Sequence, residues 1–171
     1  VFAGWNGHDP NADRLIKTTF AIVQRLDTPS KKVDLLRKIS TLNELTGDFA
    51  TGRDVLVMAK ESCHDDPKLG FAVQLDLARL ALMQGDFETA EASGQEALKI
   101  GKMQFPSASP ELLQCYELVG EADAVLGKIP EAIENIQIVL NASSGSEDMD
   151  KLSRASTKTH LGKLFIEAKR W

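Results

Sequence analysis

The sequence predicts an all-α protein: an α-solenoid of antiparallel helical hairpins with about eight helices. One observation is a recurring turn, Gly47-Asp48-Phe49, which returns as Gly85-Asp86-Phe87 and, more loosely, as Gly127-Lys128-Ile129. Another is the set of small residues around each turn glycine. Gly52, Ala90 and Ala132 stand five residues after it, Ser40, Ala78 and Gly120 seven before it, and Ala59, Ala97 and Val139 twelve after it. Small residues at fixed offsets let two helices approach closely, and their return with every turn marks a repeated hairpin. In addition, no segment alternates apolar and polar residues long enough to make a strand.

The first helix is expected from about Pro10 to Leu26, where Leu15, Ile16, Phe20, Val23 and Leu26 fall at helical spacing, with Thr28-Pro29-Ser30 ending it. Three complete hairpins follow, at about 31–46 with 49–62, 69–84 with 87–102, and 110–126 with 130–141. A last helix is expected over about 149–168. The segment from Phe71 to Met83 is the most apolar, with Phe71, Val73, Leu75, Leu77, Leu80, Leu82 and Met83 spread nearly all round, so it should be buried on several sides. Leu77 is expected in that interior, where truncation to alanine costs roughly 2 to 5 kcal/mol.

One domain spanning residues 1–171 is expected. Residues 1–29 would hold an N-terminal segment and the second helix of a partial repeat. Residues 30–67, 68–109 and 110–148 would be full repeats, and 149–171 the first helix of a further partial one. The register extends outward: Gly7 stands 40 residues before Gly47, with Ala12 five residues on, and Lys169 stands 42 residues after Gly127, preceded by Leu161-Gly162. That pattern is expected of a fragment of a longer array, or of an array closed by something outside the sequence.

These residues resemble the tetratricopeptide repeat (TPR) family, best from Leu77-Ala78 through Gly85-Asp86-Phe87, Ala90 and Ala97-Leu98. The matching positions span roughly three-quarters of the chain. The turns lie 38 and then 42 residues apart, longer than the ~34 of the usual unit, and the surplus falls between hairpins. The early aromatic of the family's first helix is present only as Tyr116, with Leu36 and Gln74 at the matching places, and the closing proline is absent from each matching position. The resemblance implies a right-handed superhelix with a concave groove lined by the first helices of successive hairpins. By register it nominates Arg37, Thr41 and Glu44, then Ala72, Leu75, Arg79 and Leu82, then Gln114, Glu117 and Glu121, and in the last helix Ser156, Thr159 and Lys163. An apolar strip carrying Arg79 beside Glu117 and Glu121 suits an extended peptide or a helix of another protein. The opposing reading has Leu75 and Leu82 in the core and Arg79 paired with Glu117 or Glu121. Co-chaperone members of the family grip acidic tails with basic and asparagine side chains. Here Thr41, Asp76, Gln114 and Leu118 stand at those places, so chaperone-tail binding is not expected.

Composition narrows the function further. A hydrophobic fraction of 43% and a mean hydropathy of -0.18 fit a globular chain of 171 residues able to bury a core. A net charge of -5 and a pI near 5.2 argue against general nucleic-acid binding, which needs a basic face. No apolar run approaches the roughly 18 residues that span a bilayer, so no membrane partner is expected. Cys63 and Cys115 form no paired motif, which points weakly to a reducing, cytoplasmic setting. No metal, cofactor or catalytic residue is expected. His8, His64 and His160 lie far apart, Cys63-His64-Asp65-Asp66 reads as a solvated turn, and neither a nucleophile elbow nor a phosphate-binding loop is present. Asn141-Ala142-Ser143 matches a glycosylation acceptor and Ser144 with Glu147 a phosphorylation pattern, in an expected loop from Asn141 to Asp150. The functional expectation is a non-enzymatic interaction scaffold within a larger assembly. The alternatives are a sensor array that binds a small ligand or signalling peptide and controls an attached effector, and a spacer that self-associates end to end.

Overall fold

The computed structural model describes residues 10–23 and 25–143, together with the single positions Thr159, Gly162 and Ile166. Seven helices make up the described elements: α1 (Pro10–Val23), α2 (Pro29–Thr46), α3 (Phe49–Ser62), α4 (Pro67–Gln84), α5 (Phe87–Gln104), α6 (Pro110–Val125) and α7 (Ile129–Ser143). No strand occurs among the described residues. Three helical hairpins result, α2/α3, α4/α5 and α6/α7, each closed by one of the recurring turns. The expected helix over 149–168 lies outside the described residues, apart from Thr159, Gly162 and Ile166, which are helical. The extensions of the register to Gly7 and Lys169 also lie outside them.

Proline and glycine fix the ends of the first helices. Pro29, Pro67 and Pro110 open α2, α4 and α6, where the missing amide would have had no helical partner. Thr28-Pro29-Ser30 therefore starts α2, and α1 ends three residues short of Leu26. Asp66 accepts hydrogen bonds from the Lys68 and Leu69 amides at 2.9 and 3.2 Å, and Ser109 accepts one from the Leu112 amide at 3.3 Å. Cys63-His64-Asp65-Asp66 thus leads from α3 into the N-cap of α4.

At the other end, Gly47, Gly85 and Gly127 take φ of 78°, 76° and 77°, the left-handed region that a side chain disfavours. The amide after each glycine donates back five residues: Asp48 to the Asn43 carbonyl, Asp86 to Ala81 and Lys128 to Asp123, at 2.9, 2.9 and 2.8 Å. One backbone geometry thus serves all three turns, which is why one sequence signature marks them.

The chain divides into two compact units, Val1–His64 and Asp65–Trp171. In the first, α2 packs on α3 and α1 on α2, around Val23, Val33, Leu36, Ile39, Val55, Leu56 and Ala59. In the second, α4 packs on α5, α5 on α6, α6 on α7, and α4 reaches α6. Its main cluster joins Phe71, Leu75, Ala97, Leu98, Leu112, Cys115 and Val119. Phe71 and Phe105 stack at 4.8 Å between ring centres.

The small residues do the work their spacing implies, since all nine are buried. Two further glycines show how tight the α5–α6 contact is. A β-carbon at Gly94 would come within 2.5 Å of Val119, and one at Gly101 within 2.7 and 2.8 Å of Leu112 and Phe71. Packing therefore explains their place in a helix that glycine otherwise weakens.

Two expectations change. Leu77 is half-buried, whereas Leu80 is 1% exposed, and Met83 is open to solvent. The apolar α4 is nevertheless covered on several sides, because even Gln74 and Asp76 are buried. α7 continues through Asn141, Ala142 and Ser143, so the acceptor motif sits in a helix, and the rest of the expected loop, with Ser144 and Glu147, lies outside the described residues.

Candidate functional site

The nominated groove residues fall on the first helices α2, α4 and α6, with a spacing that sets three equivalent stripes. Four-residue steps keep side chains on one helical face, so Arg37-Thr41-Leu45, Leu75-Arg79-Met83 and Glu117-Glu121-Val125 run along α2, α4 and α6 in the same phase to the turn glycine. In the first unit, Arg37 and Glu44 are half-buried and Thr41 is exposed, its hydroxyl donating to the Arg37 carbonyl at 3.2 Å. The Ser40 hydroxyl donates to Glu44 at 3.5 Å.

In the second unit, Arg79 lies 3.5 Å from Asp76 on its own helix. Glu117 and Gln114 are exposed, Glu121 and Ala72 half-buried. Leu75 belongs to the interior, packed in the cluster with Phe71 and Leu112, and Leu82 packs beside Ala81, Ala90 and Ala122. Thr159 is exposed, while Ser156 and Lys163 lie outside the described residues.

The residues that sequence reasoning missed stand one turn further along each stripe. Leu45, Met83 and Val125 are 77%, 54% and 60% exposed, and each precedes its turn glycine by two positions. Their signal was legible in the register. Met83 is hidden there by the apolar run of α4 around it, which periodicity alone does not divide into covered and open faces.

A second polar group occupies the α6/α7 hairpin. Asp123, 1% exposed, accepts a hydrogen bond from the Asn135 amide nitrogen at 3.0 Å. Burial pushes its carboxyl up to about 6, with the charges of Glu91 and Glu131 adding to the rise and Asn135 and Lys128 opposing it. Lys128 Nζ meets both carboxylate oxygens of Glu91 on α5, at 2.6 and 2.5 Å, which raises its own pKa. Burial also drives the Cys115 thiol up to about 12, so it stays protonated and inert as a nucleophile.

Two shallow clefts complete the surface. One of about 230 Å³ lies between α5 and α7, where Leu98, Tyr116 and Ile138 meet Lys102, Glu131 and Glu134. Lys102 Nζ sits 5.5 Å from the Tyr116 ring centre. The other, about 270 Å³ and within the first unit, is lined by Leu26, Asp27, Lys32, Glu61 and His64. No cluster of three metal-ligating side chains occurs among the described residues.

Hairpins closed by left-handed glycines and packed through small residues define a helical-repeat scaffold with a TPR-like fold, and solved structures agree. BtubC (BKLC) from P. vanneervenii matches with a TM-score of 0.82 at 17% identity, over 93% of this chain and 66% of that one. A kinesin light chain from Podospora anserina with nearly identical TPR-like repeats matches with a TM-score of 0.72 at 17% identity, over 82% of this chain and 68% of that one. The chain therefore spans about two thirds of the length of each. No family model and no curated protein matches it. No helix among the described residues is long and apolar enough to cross a membrane.

Proposed function

We propose that this chain is a non-enzymatic interaction module that holds a peptide or helix of a partner protein on the faces of its first helices, within a larger assembly. One observation supports the reading: α4 contacts α6, while Arg79 on α4 and Gln114, Glu117 and Glu121 on α6 are each at least partly exposed. Side chains of both signs beside a packed apolar layer give a partner orientation as well as contact area. The acidic balance of the chain and of this face turns away nucleic acid and acidic tails. Cys63 and Cys115 are both buried and form no disulfide with each other, which fits a cytoplasmic setting.

Affinity capture from a source-cell lysate, with the native chain and its Arg79→Glu, Glu117→Arg variant side by side, tests the reading. A partner kept by the native chain and lost by a variant of unchanged helical content supports it. Identical or absent partners for both would remove the groove as the working surface. The sensor alternative draws on the shallow cleft between α5 and α7, where Lys102 and Tyr116 stand together. Saturable small-molecule binding that disappears in Tyr116→Ala would favour it.

A further inference from the structure

Within the second unit, one stripe on each of the second helices α5 and α7 lines a single cleft. On α7, Glu131, Glu134, Asn135 and Ile138 follow one another by three, one and three residues, which keeps them on one helical face. On α5, Leu98 and Lys102 stand four residues apart and share a face in the same way. Tyr116 of α6 lines the cleft too and packs on the buried cluster to which Leu98 belongs. The apolar part of the cleft is therefore held by the core, whereas Lys102, Glu131 and Glu134 are exposed.

The charges of this cleft do not neutralise one another. Lys102 Nζ rests 5.5 Å from the centre of the Tyr116 ring, and among the described residues no cation lies within ion-pair distance of Glu131 or Glu134. Lys128, whose charge reaches Glu131, is bound by Glu91. Asn135 donates its amide nitrogen to Asp123 at 3.0 Å, which fixes the side chain and keeps its amide oxygen as an acceptor.

We infer that the cleft receives an arginine side chain presented by a partner protein, its guanidinium against Glu131 and Glu134 and its flat face on Tyr116, and that Lys102 covers the ring until this arginine displaces it. This goes beyond the groove reading, because the site is built on second helices and its occupant is one basic anchor. A guanidinium can meet a carboxylate with two parallel N–H bonds and stack on an aromatic ring, whereas an ammonium is a compact point charge. Leu98 and Ile138 suit the aliphatic stem, and the Asn135 oxygen can accept a further N–H. The volume of about 230 Å³ falls below the ~300–1,000 Å³ of pockets that enclose a small molecule, so a side chain carried by a larger partner fits it better than a free ligand. A cation–π contact made by an exposed lysine is weak, so a cation that meets the ring and two carboxylates together displaces it. The net charge of -5 draws a basic partner in.

Tyr116 is the single tyrosine of the chain, so its ring resonances report on this cleft alone. In a nuclear magnetic resonance titration, a capped five-residue peptide with arginine between glycines should shift them saturably, with a Kd of roughly 1 mM. The corresponding lysine peptide should bind about threefold more weakly, and a citrulline peptide, similar in shape but uncharged, about tenfold more weakly. Glu131→Gln, Glu134→Gln should weaken the arginine peptide about tenfold with unchanged circular dichroism. Glu134→Gln alone replaces the pair if the pair loses helical signal. Lys102→Gln should strengthen binding about threefold, because it removes the competing cation. Absence of a saturable shift, equal binding of the arginine and citrulline peptides, or native affinity in the Gln pair overturns the site. Equal binding of the lysine peptide overturns the choice of arginine, and unchanged or weaker binding by Lys102→Gln overturns the displacement.

Discussion

The turns of the α4/α5 and α6/α7 hairpins share a backbone and differ in how they are held. At the first, Asp86 caps its own helix, its carboxylate accepting from the Thr89 amide at 3.1 Å. At the second, Lys128 replaces the aspartate and the local cap is gone. Its ammonium instead reaches 37 residues back to Glu91, tying the turn to the preceding hairpin. The position four residues before the glycine changes too: Ala81 packs in an apolar cluster, whereas Asp123 brings a carboxyl into the interior. One hairpin is closed by local chemistry and the other by its neighbour, so the same fold can distribute its stability in two ways.

The largest expected effect concerns the buried side of α4. Leu80→Ala should cost about 2 to 5 kcal/mol in denaturant unfolding, because the side chain is fully buried and the site cannot easily collapse. Leu77→Ala should cost clearly less, reversing the order that the repeat signature suggests. Equal losses would mean that exposure does not set the ranking.

Asp123 should separate the hairpins by pH. Its folded-state value near 6 lies above the ordinary 3.8, so the folded protein binds the proton more tightly than the unfolded chain does. Its contribution is present in full below about 4 and is lost as pH rises through about 6. The melting temperature of Asp123→Asn, followed from pH 4 to 7, should lose that decline and exceed the native value at neutral pH. A native profile that is flat over this range would contradict the assignment.

Smaller effects belong to the turns themselves. Asp86→Ala should destabilise by about 1 kcal/mol with only a weak salt dependence, because the lost cap is mainly a short hydrogen bond. Lys128→Met should have a smaller effect that fades as salt is raised, because the ion pair with Glu91 is solvent-accessible. If the two substitutions respond alike to salt, the contrast between local and distant closure fails.

Sequence reached the turns and the helix contacts because each is set by a residue that physical chemistry nearly dictates. Gly47, Gly85 and Gly127 occupy a backbone region open to glycine, and the small residues from Ser40 to Val139 occupy contacts that admit little else. Helix ends are legible only to within a few residues, and Pro29, whose neighbourhood suggests a stop, opens α2. The candidate site was harder to read. Periodicity places Leu75, Arg79 and Leu82 on related faces, but which side meets a neighbouring helix depends on packing angles that no local pattern encodes. For the same reason Met83 and Val125 stayed unnoticed, and so did the meeting of Asp123 with Asn135, 12 residues apart across a turn.

The order of helix contacts also bears on how the chain reaches its fold. Within the second unit, the helices that pack together are neighbours in sequence or separated by a single helix. Contacts of short sequence separation require only small loops to close before they gain burial, so loop-closure entropy opposes each step weakly. Refolding of this unit should accordingly fall in the microsecond-to-millisecond range typical of helical proteins. It could begin at α4/α5 or at α6/α7 and propagate outward, without waiting for the distant ends of the chain to find one another.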